Sequence, residues 1–225
     1  MTTAKELKTD FVLYNYYRSS ASYRVRIALH LKDLDFEYRA VHLINNGGEQ
    51  HRPEYAALNP SHEVPTLVHG EKVIGQSVAI IDYLDKVRPS TIQLFPEDPY
   101  QRALVLQTCE IINSGVQPIG NLRVLKQLVE KFGATEAQKE EWTQHWIRSG
   151  LETLEAFLKP HAGKYSIGDR VTAADCFVIP QLFGAERFKV PTAGYPTLLR
   201  IQANCLALEA FKKAAPAQQP DFPKP

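Results

Sequence analysis

The sequence predicts an α/β domain of order βαβ–ββα followed by an all-helical domain. Three observations carry this. Short β-rich runs occur only in the first third of the chain, helix-type apolar spacing takes over after Pro99, and a stretch from Pro89 to Pro99 separates the two regimes. The predicted boundaries are an N-terminal domain over 1–89, a linker over 90–99 and a helical domain over 100–225. At 225 residues, two domains is also the natural count.

The run FVLYN (Phe11 to Asn15) reads as the first strand. A polar RSS stretch follows, and then SYRVRIALHLK, in which Val25, Ala28, Leu29 and Leu31 suit a helix. Phe36 to Leu43 reads as a second strand, so the opening is a βαβ unit with parallel strands. NGGEQHRPEYAALNP is a loop with at most a short helix. Val64 to His69 and Lys72 to Ile74 flank Gly70-Glu71 and predict an antiparallel hairpin. Ser77 opens the next helix, with Ile80, Leu84 and Val87 on one face, and Arg88-Pro89 ends it.

In the second half, Leu122, Leu125, Val129 and Phe132 mark one helix, and Ile147, Leu151, Leu154 and Leu158 mark another. Thr172 and Asp175 have capping-box spacing ahead of an apolar run, inside which Pro180 should cost a backbone hydrogen bond and kink the axis. The proline-rich stretch Pro216 to Pro225 reads as an extended tail.

Composition narrows the function. Hydrophobic residues are 44% and charged residues 23%, which is ordinary for a folded chain. A formal charge of +1 is too balanced to attract a phosphate backbone, so nucleic acid is not an expected partner. No apolar run is long enough to span a membrane, and MTTAKELKTD is too polar for a signal peptide, so a cytoplasmic protein is expected. Cys109, Cys176 and Cys205 are odd in number and widely spaced, which fits reduced buried thiols. Because no cysteine precedes Cys109, a dithiol oxidoreductase is excluded.

Three features of the first domain bear chemistry. Arg18-Ser19-Ser20-Ala21-Ser22 lies where strand gives way to helix, so open amides and the positive end of the dipole could stabilise a thiolate to which a serine donates. Val64-Pro65 precedes a strand and leaves the Val64 backbone available to an extended peptide. Gln76-Ser77 starts another helix, whose first amides could receive a carboxylate. Taken singly, each serine reads as a plain N-cap. His42, His62 and His69 lack metal-ligand spacing, and no metal is expected.

In this order, on this frame, the three features resemble the thioredoxin-like domain of glutathione transferases. The stretches RSSASYRVRIAL, GGEQH, ALNP, VPTL, QSVAIIDYL, GVQPIGNLRVLKQL, VTAADCFVIPQ and AERFKV resemble the zeta class, which includes maleylacetoacetate and maleylpyruvate isomerases. The resemblance runs from Leu13 to about Pro220. It implies glutathione as cofactor, with Ser19 facing the sulfur, Ser20 and the neighbouring amides assisting, and with Gln50, Val64, Gln76 and Ser77, together with Gln117 and Asn121 on the first helix of the second domain, holding the tripeptide. It implies a small dicarboxylate substrate received by Arg18, Arg123 and Arg187, for which a forked guanidinium suits better than lysine. It also implies a homodimer. The implied reaction is reversible addition of the glutathione thiolate to a cis maleyl double bond, giving the trans fumaryl product. A transferase or dehalogenase acting on small halogenated acids begins with the same attack. A non-catalytic glutathione-binding module is the other alternative, against which the retention of Ser19, Gln76, Ser77 and the three arginines argues. One departure is clear: Ala21 stands where the class usually has cysteine, and Tyr23 where tryptophan is common. No protein thiol is therefore expected to take part.

Overall fold

A computed structural model describes residues 9–89 and 91–223. They form two compact units, one of residues up to 93 together with those from 209 onward, the other of 94–208.

In the first unit, β1 (Phe11–Asn15) leads into α1 (Ser20–Leu31), then β2 (Glu37–Ala40), α2 (Pro53–Leu58), β3 (Thr66–His69), β4 (Lys72–Gly75) and α3 (Ser77–Val87). The sheet order is β2-β1-β3-β4, with β1 parallel to β2 and antiparallel to β3, as the βαβ–ββα reading requires. Leu13 and Leu67 face each other across β1 and β3 and are fully buried, as are Ile27 and Leu29 of α1 and Ile80 and Leu84 of α3. Alternating burial along β1 is the period-two signature of a strand with one covered face.

Two strands are shorter than expected. β2 ends at Ala40 because its partner β1 ends at Asn15; the Val41 amide makes the last bond, 2.8 Å to the Asn15 carbonyl, and the chain then turns away. β3 begins at Thr66, since Pro65 has no amide to give a ladder. Gly70 takes the left-handed turn position, φ 58°, between β3 and β4.

α1 and α3 are joined at their far ends by a buried ion pair. Lys32, capping α1, places Nζ 2.9 Å from Asp85 Oδ1 of α3 and 2.8 Å from the Ile92 carbonyl. Both charges are out of water, so each depends on the other.

The second unit holds α4 (Pro99–Asn113), α5 (Leu122–Phe132), α6 (Glu136–Leu158), α7 (Ala173–Arg187) and α8 (Pro196–Leu206). Leu94 and Phe95, expected in a linker, are buried here, and the Leu94 carbonyl accepts from the Ala173 amide at 2.8 Å. The capping box closes as read: Asp175 Oδ2 accepts from the Thr172 amide at 2.8 Å, while Oδ1 accepts from Ser166 at 2.8 Å. α7 continues through Pro180 to Arg187. All three cysteines are buried and none is in a disulfide.

The end of the sequence departs from expectation. α9 (Glu209–Ala214) and the segment after it belong to the first unit, and Pro216 and Gln219 are buried. The stretch from Pro216 is held because its polar groups find partners: Gln219 Nε2 donates to the Lys213 and Ala215 carbonyls at 2.9 and 2.8 Å, and Asp221 accepts from the Tyr17 amide at 3.0 Å. Residues 224–225 lie outside the described part.

Removing one partner of a buried pair costs about 3–5 kcal/mol, so Lys32→Met should lower unfolding stability by about that much in urea titration. A loss under about 1 kcal/mol would mean that the pair is solvated.

Candidate functional site

Ser19 is the N-cap of α1. Its backbone is extended (φ −70°, ψ 120°), and its Oγ accepts from the Ser22 amide at 3.1 Å. That cap uses an oxygen lone pair and leaves the hydroxyl proton to be donated elsewhere. Ser20 is the first helical residue and Ala21 the second. No intrahelical carbonyl can reach the amides at these positions, so they and the dipole make the start of α1 an anion-favouring place. The plain capping role and a thiol-facing role therefore use different parts of Ser19.

Just before it, Tyr16 packs with Val41, Tyr55 and Val64 in one buried cluster, with Tyr17 and Leu43 against it. This cluster brings the loop carrying Ser19 beside Val64. The Val64-Pro65 peptide is cis, and no hydrogen bond joins the Val64 amide or carbonyl to another described residue. Gln50 belongs to the same region: its Nε2 donates to the Leu43 carbonyl at 3.4 Å, and its own carbonyl contacts His62 Nδ1 at 3.0 Å. Gln50 Oε1 is buried with no hydrogen-bond partner among the described residues. Burial pushes the Tyr16 phenol up to about 12, although Arg18, whose guanidinium lies 5.8 Å from the Tyr16 ring centre, acts the other way.

The start of α3 differs from a plain cap. Gln76 is the capping residue, it makes no side-chain capping bond, and it holds φ 64°, ψ 119°, a backbone region that non-glycine residues rarely occupy. Ser77 is the first helical residue and is buried; its Oγ accepts from Arg24 Nη1 at 3.1 Å. The open end of α3 is thus backed by a buried guanidinium. Sequence reading missed Arg24. The visible signal was a cation, with Arg26 two residues later, inside the otherwise core-type run SYRVRIAL.

The remaining site candidates lie in the second unit. Gln117 and Asn121 were expected on its first helix, but α4 ends at Asn113 and both lie in the turn that follows, which contains Gly115, Pro118 and Gly120. Asn121 caps α5, accepting from the Arg123 amide at 3.1 Å. Arg123 is exposed in the first turn of α5, where the dipole disfavours a cation. Arg187 is exposed in the last turn of α7, its guanidinium 4.6 Å from the Phe188 ring centre. There the dipole favours it, so its position needs no ligand to explain it. His42, His62 and His69 are engaged with Tyr16, Gln50 and Tyr83, and the described residues contain no cluster of metal-binding side chains.

Residues 13–91 match the family model described as the N-terminal domain of glutathione S-transferase, and residues 122–213 match its C-terminal domain. A probable maleylacetoacetate isomerase of Vibrio cholerae is 46% identical over 94% of this chain and 98% of its own. The chain belongs to the glutathione transferase family, in its zeta-class, maleylacetoacetate isomerase branch. Among solved structures, this transferase-family chain is similar to the holo form of a bacterial zeta-class maleylpyruvate isomerase (TM-score 0.90, 42% identity, 94% of this chain and 100% of that one). It is similar too to a maleylacetoacetate isomerase from Methylobacterium extorquens AM1 with bound malonate and glutathione (TM-score 0.90, 36% identity, 95% of this chain and 100% of that one).

The family's glutathione is a flexible tripeptide with amides, two carboxylates and a thiol. The first unit fits such a ligand: Val64 has an open backbone pair, Gln50 Oε1 lacks a partner among the described residues, and α3 begins with no side-chain cap over its amides.

Proposed function

We propose that this chain is a glutathione-dependent cis–trans isomerase of maleyl acids, the class that includes maleylacetoacetate and maleylpyruvate. The observation that carries the reading is the start of α1, where the Ser19 oxygen is committed to the Ser22 amide and its proton is left for a sulfur. The similarity over 94% of the chain to a probable maleylacetoacetate isomerase supports it. When bound, glutathione supplies a thiolate that adds to the cis double bond and leaves after rotation, so the fumaryl isomer is released and the thiol restored.

The residues divide this work. Ser19 donates to the sulfur, and Ser20 with the neighbouring amides adds the field of the helix end, which favours thiolate at neutral pH. Val64 pairs with the tripeptide backbone as an added strand would, while Gln50, Gln76, Gln117 and Asn121 take its remaining polar groups. The Ser77 amide receives a carboxylate, with the Arg24 charge behind it. Arg18, Arg123 and Arg187 receive the substrate carboxylates; Arg123 supports this, since a cation at a helix start gains from a bound anion. Ala21 cannot act as a nucleophile, so the chemistry rests on the cofactor's sulfur.

The chain is also proposed to work as a homodimer. α5 supports this: none of its side chains is buried, Phe132 is 80% exposed, and Leu122 and Val129 are exposed as well. Sedimentation equilibrium should then give twice 25.4 kDa, and a monomer mass would remove this part of the reading.

Turnover of the maleyl substrate should require glutathione and leave total free glutathione unchanged after many cycles; stoichiometric loss would indicate conjugation instead. Ser19→Ala should lower kcat about ten- to a hundredfold, with a much smaller change in glutathione affinity by calorimetry. An unchanged kcat would assign activation to the helix amides or to Ser20.

Arg187→Lys keeps the charge and loses the fork, so KM for the maleyl acid should rise while glutathione affinity holds, and Arg187→Ala should raise it further. Should both variants match wild type in initial-rate measurements, Arg187 is a surface residue and Arg18 and Arg123 carry the carboxylates.

A further inference from the structure

Tyr16 and Tyr17, in the loop before Ser19, are held by Arg26 and by the other end of the sequence. The Tyr17 amide donates to Asp221 Oδ2 at 3.0 Å, and the Tyr17 carbonyl accepts from Arg26 Nη2 at 3.0 Å. The Tyr16 carbonyl accepts from Arg26 Nη1 at 3.3 Å and from the Ser19 amide at 3.0 Å. Arg26 Nε reaches back to the Ala214 carbonyl at 3.0 Å, at the end of α9. Asp221 is oriented by a second donor, the Tyr38 hydroxyl of β2, and the Phe222 ring stands edge-on to Tyr17 with centres 5.3 Å apart. Both backbone groups of Tyr17 are therefore taken, one directly by the segment Glu209–Phe222 and one through a guanidinium that this segment helps to satisfy.

Two of the donors in this set, Tyr38 and Arg26, keep their protons at neutral pH. Burial and the bond to Asp221 hold the Tyr38 phenol far above its ordinary range, so it remains a donor. Burial lowers Arg26 to about 10, which leaves it charged at neutral pH.

A loop whose only task was to connect β1 to α1 would not need its Tyr17 amide fixed by Asp221, 204 residues on, and its Tyr16 and Tyr17 carbonyls fixed by an Arg26 that is itself anchored on Ala214, 188 residues on. Small displacements at a reacting group cost large factors in rate, so fixing this loop bears directly on Ser19. We infer that Glu209–Phe222 is a strap that positions Ser19 for thiol activation, with Asp221 as its positioning residue, an inference that rests on the thiol-activating reading of Ser19.

The test compares wild type with Asp221→Ala, Asp221→Asn and Tyr38→Phe, all well below their melting temperatures and at saturating glutathione. Two quantities are read: kcat for the maleyl acid, and the apparent pKa of the bound thiol from its ultraviolet thiolate absorbance against pH. Asp221→Ala should raise the bound-thiol pKa by about one unit and lower kcat about tenfold. Asp221→Asn keeps an oxygen for the Tyr17 amide and should recover most of both. Tyr38→Phe removes only the hydroxyl that orients Asp221 and should give a smaller shift in the same direction, so the question stays answerable if Asp221→Ala does not fold. If wild type activates the thiol and isomerises while the folded variants match it in both readings, the strap is merely structural and the inference falls. If wild type shows neither thiolate formation nor isomerisation, the reading of Ser19 falls and takes the strap with it.

Discussion

The buried guanidinium of Arg26 constrains everything around the start of α1. It is fully shielded from solvent and bonds to the Asn15 side chain, the Tyr16 and Tyr17 carbonyls and the Ala214 carbonyl. A cation out of water is tolerable only when its donors are matched, and a lost acceptor leaves a desolvated charge costing several kcal/mol. The end of β1, the loop before Ser19 and the end of α9 must therefore present their oxygens together. No one of them can shift alone without exposing that penalty.

α1 carries two further buried cations, and each faces a different neighbour. Arg24 meets Ser77 at the start of α3, and Lys32 meets Asp85 near its end. The two helices are thus registered at both ends by charge as well as by the apolar contacts between them. This resolves a conflict inherent in an anion site at a helix start, the role proposed for the start of α1. The amides must stay unsatisfied by protein to be available, yet they must not move. Rigidity comes from behind, through the buried cations of α1, while Ser19 and Ser20 occupy the first positions of the helix. The unusual backbone of Gln76 at the corresponding point of α3 belongs to the same pattern of strain held in place by well-paired surroundings.

Much of this was legible in the chain. β1, the hairpin around Gly70, α3 with its stop at Arg88-Pro89, and the capping box of Thr172 and Asp175 all follow from rules that act within a few residues. The loop serines and Val64-Pro65 were visible for the same reason. The length of β2 was not legible, because a strand ends where its partner ends, and β1 lies over twenty residues away. The stretch from Pro216 looked like an unstructured tail because proline-rich sequence makes few local bonds; its partners, Tyr17 and Tyr38, lie at the opposite end of the chain. Likewise nothing local distinguishes Arg187, exposed at a helix end, from a solvated surface arginine.

By itself, then, the sequence determined the order of elements, the division into an α/β part and a helical part, and the family whose motifs it carries. Periodicity, turn chemistry and capping are short-range, and a family's loop motifs are contiguous. Only the tertiary structure decided that three cations of α1 are buried, which oxygens they meet, and that Asp221 holds the residue two places before Ser19. Those facts depend on which distant groups arrive at a desolvated charge, and local sequence contains no record of that arrival.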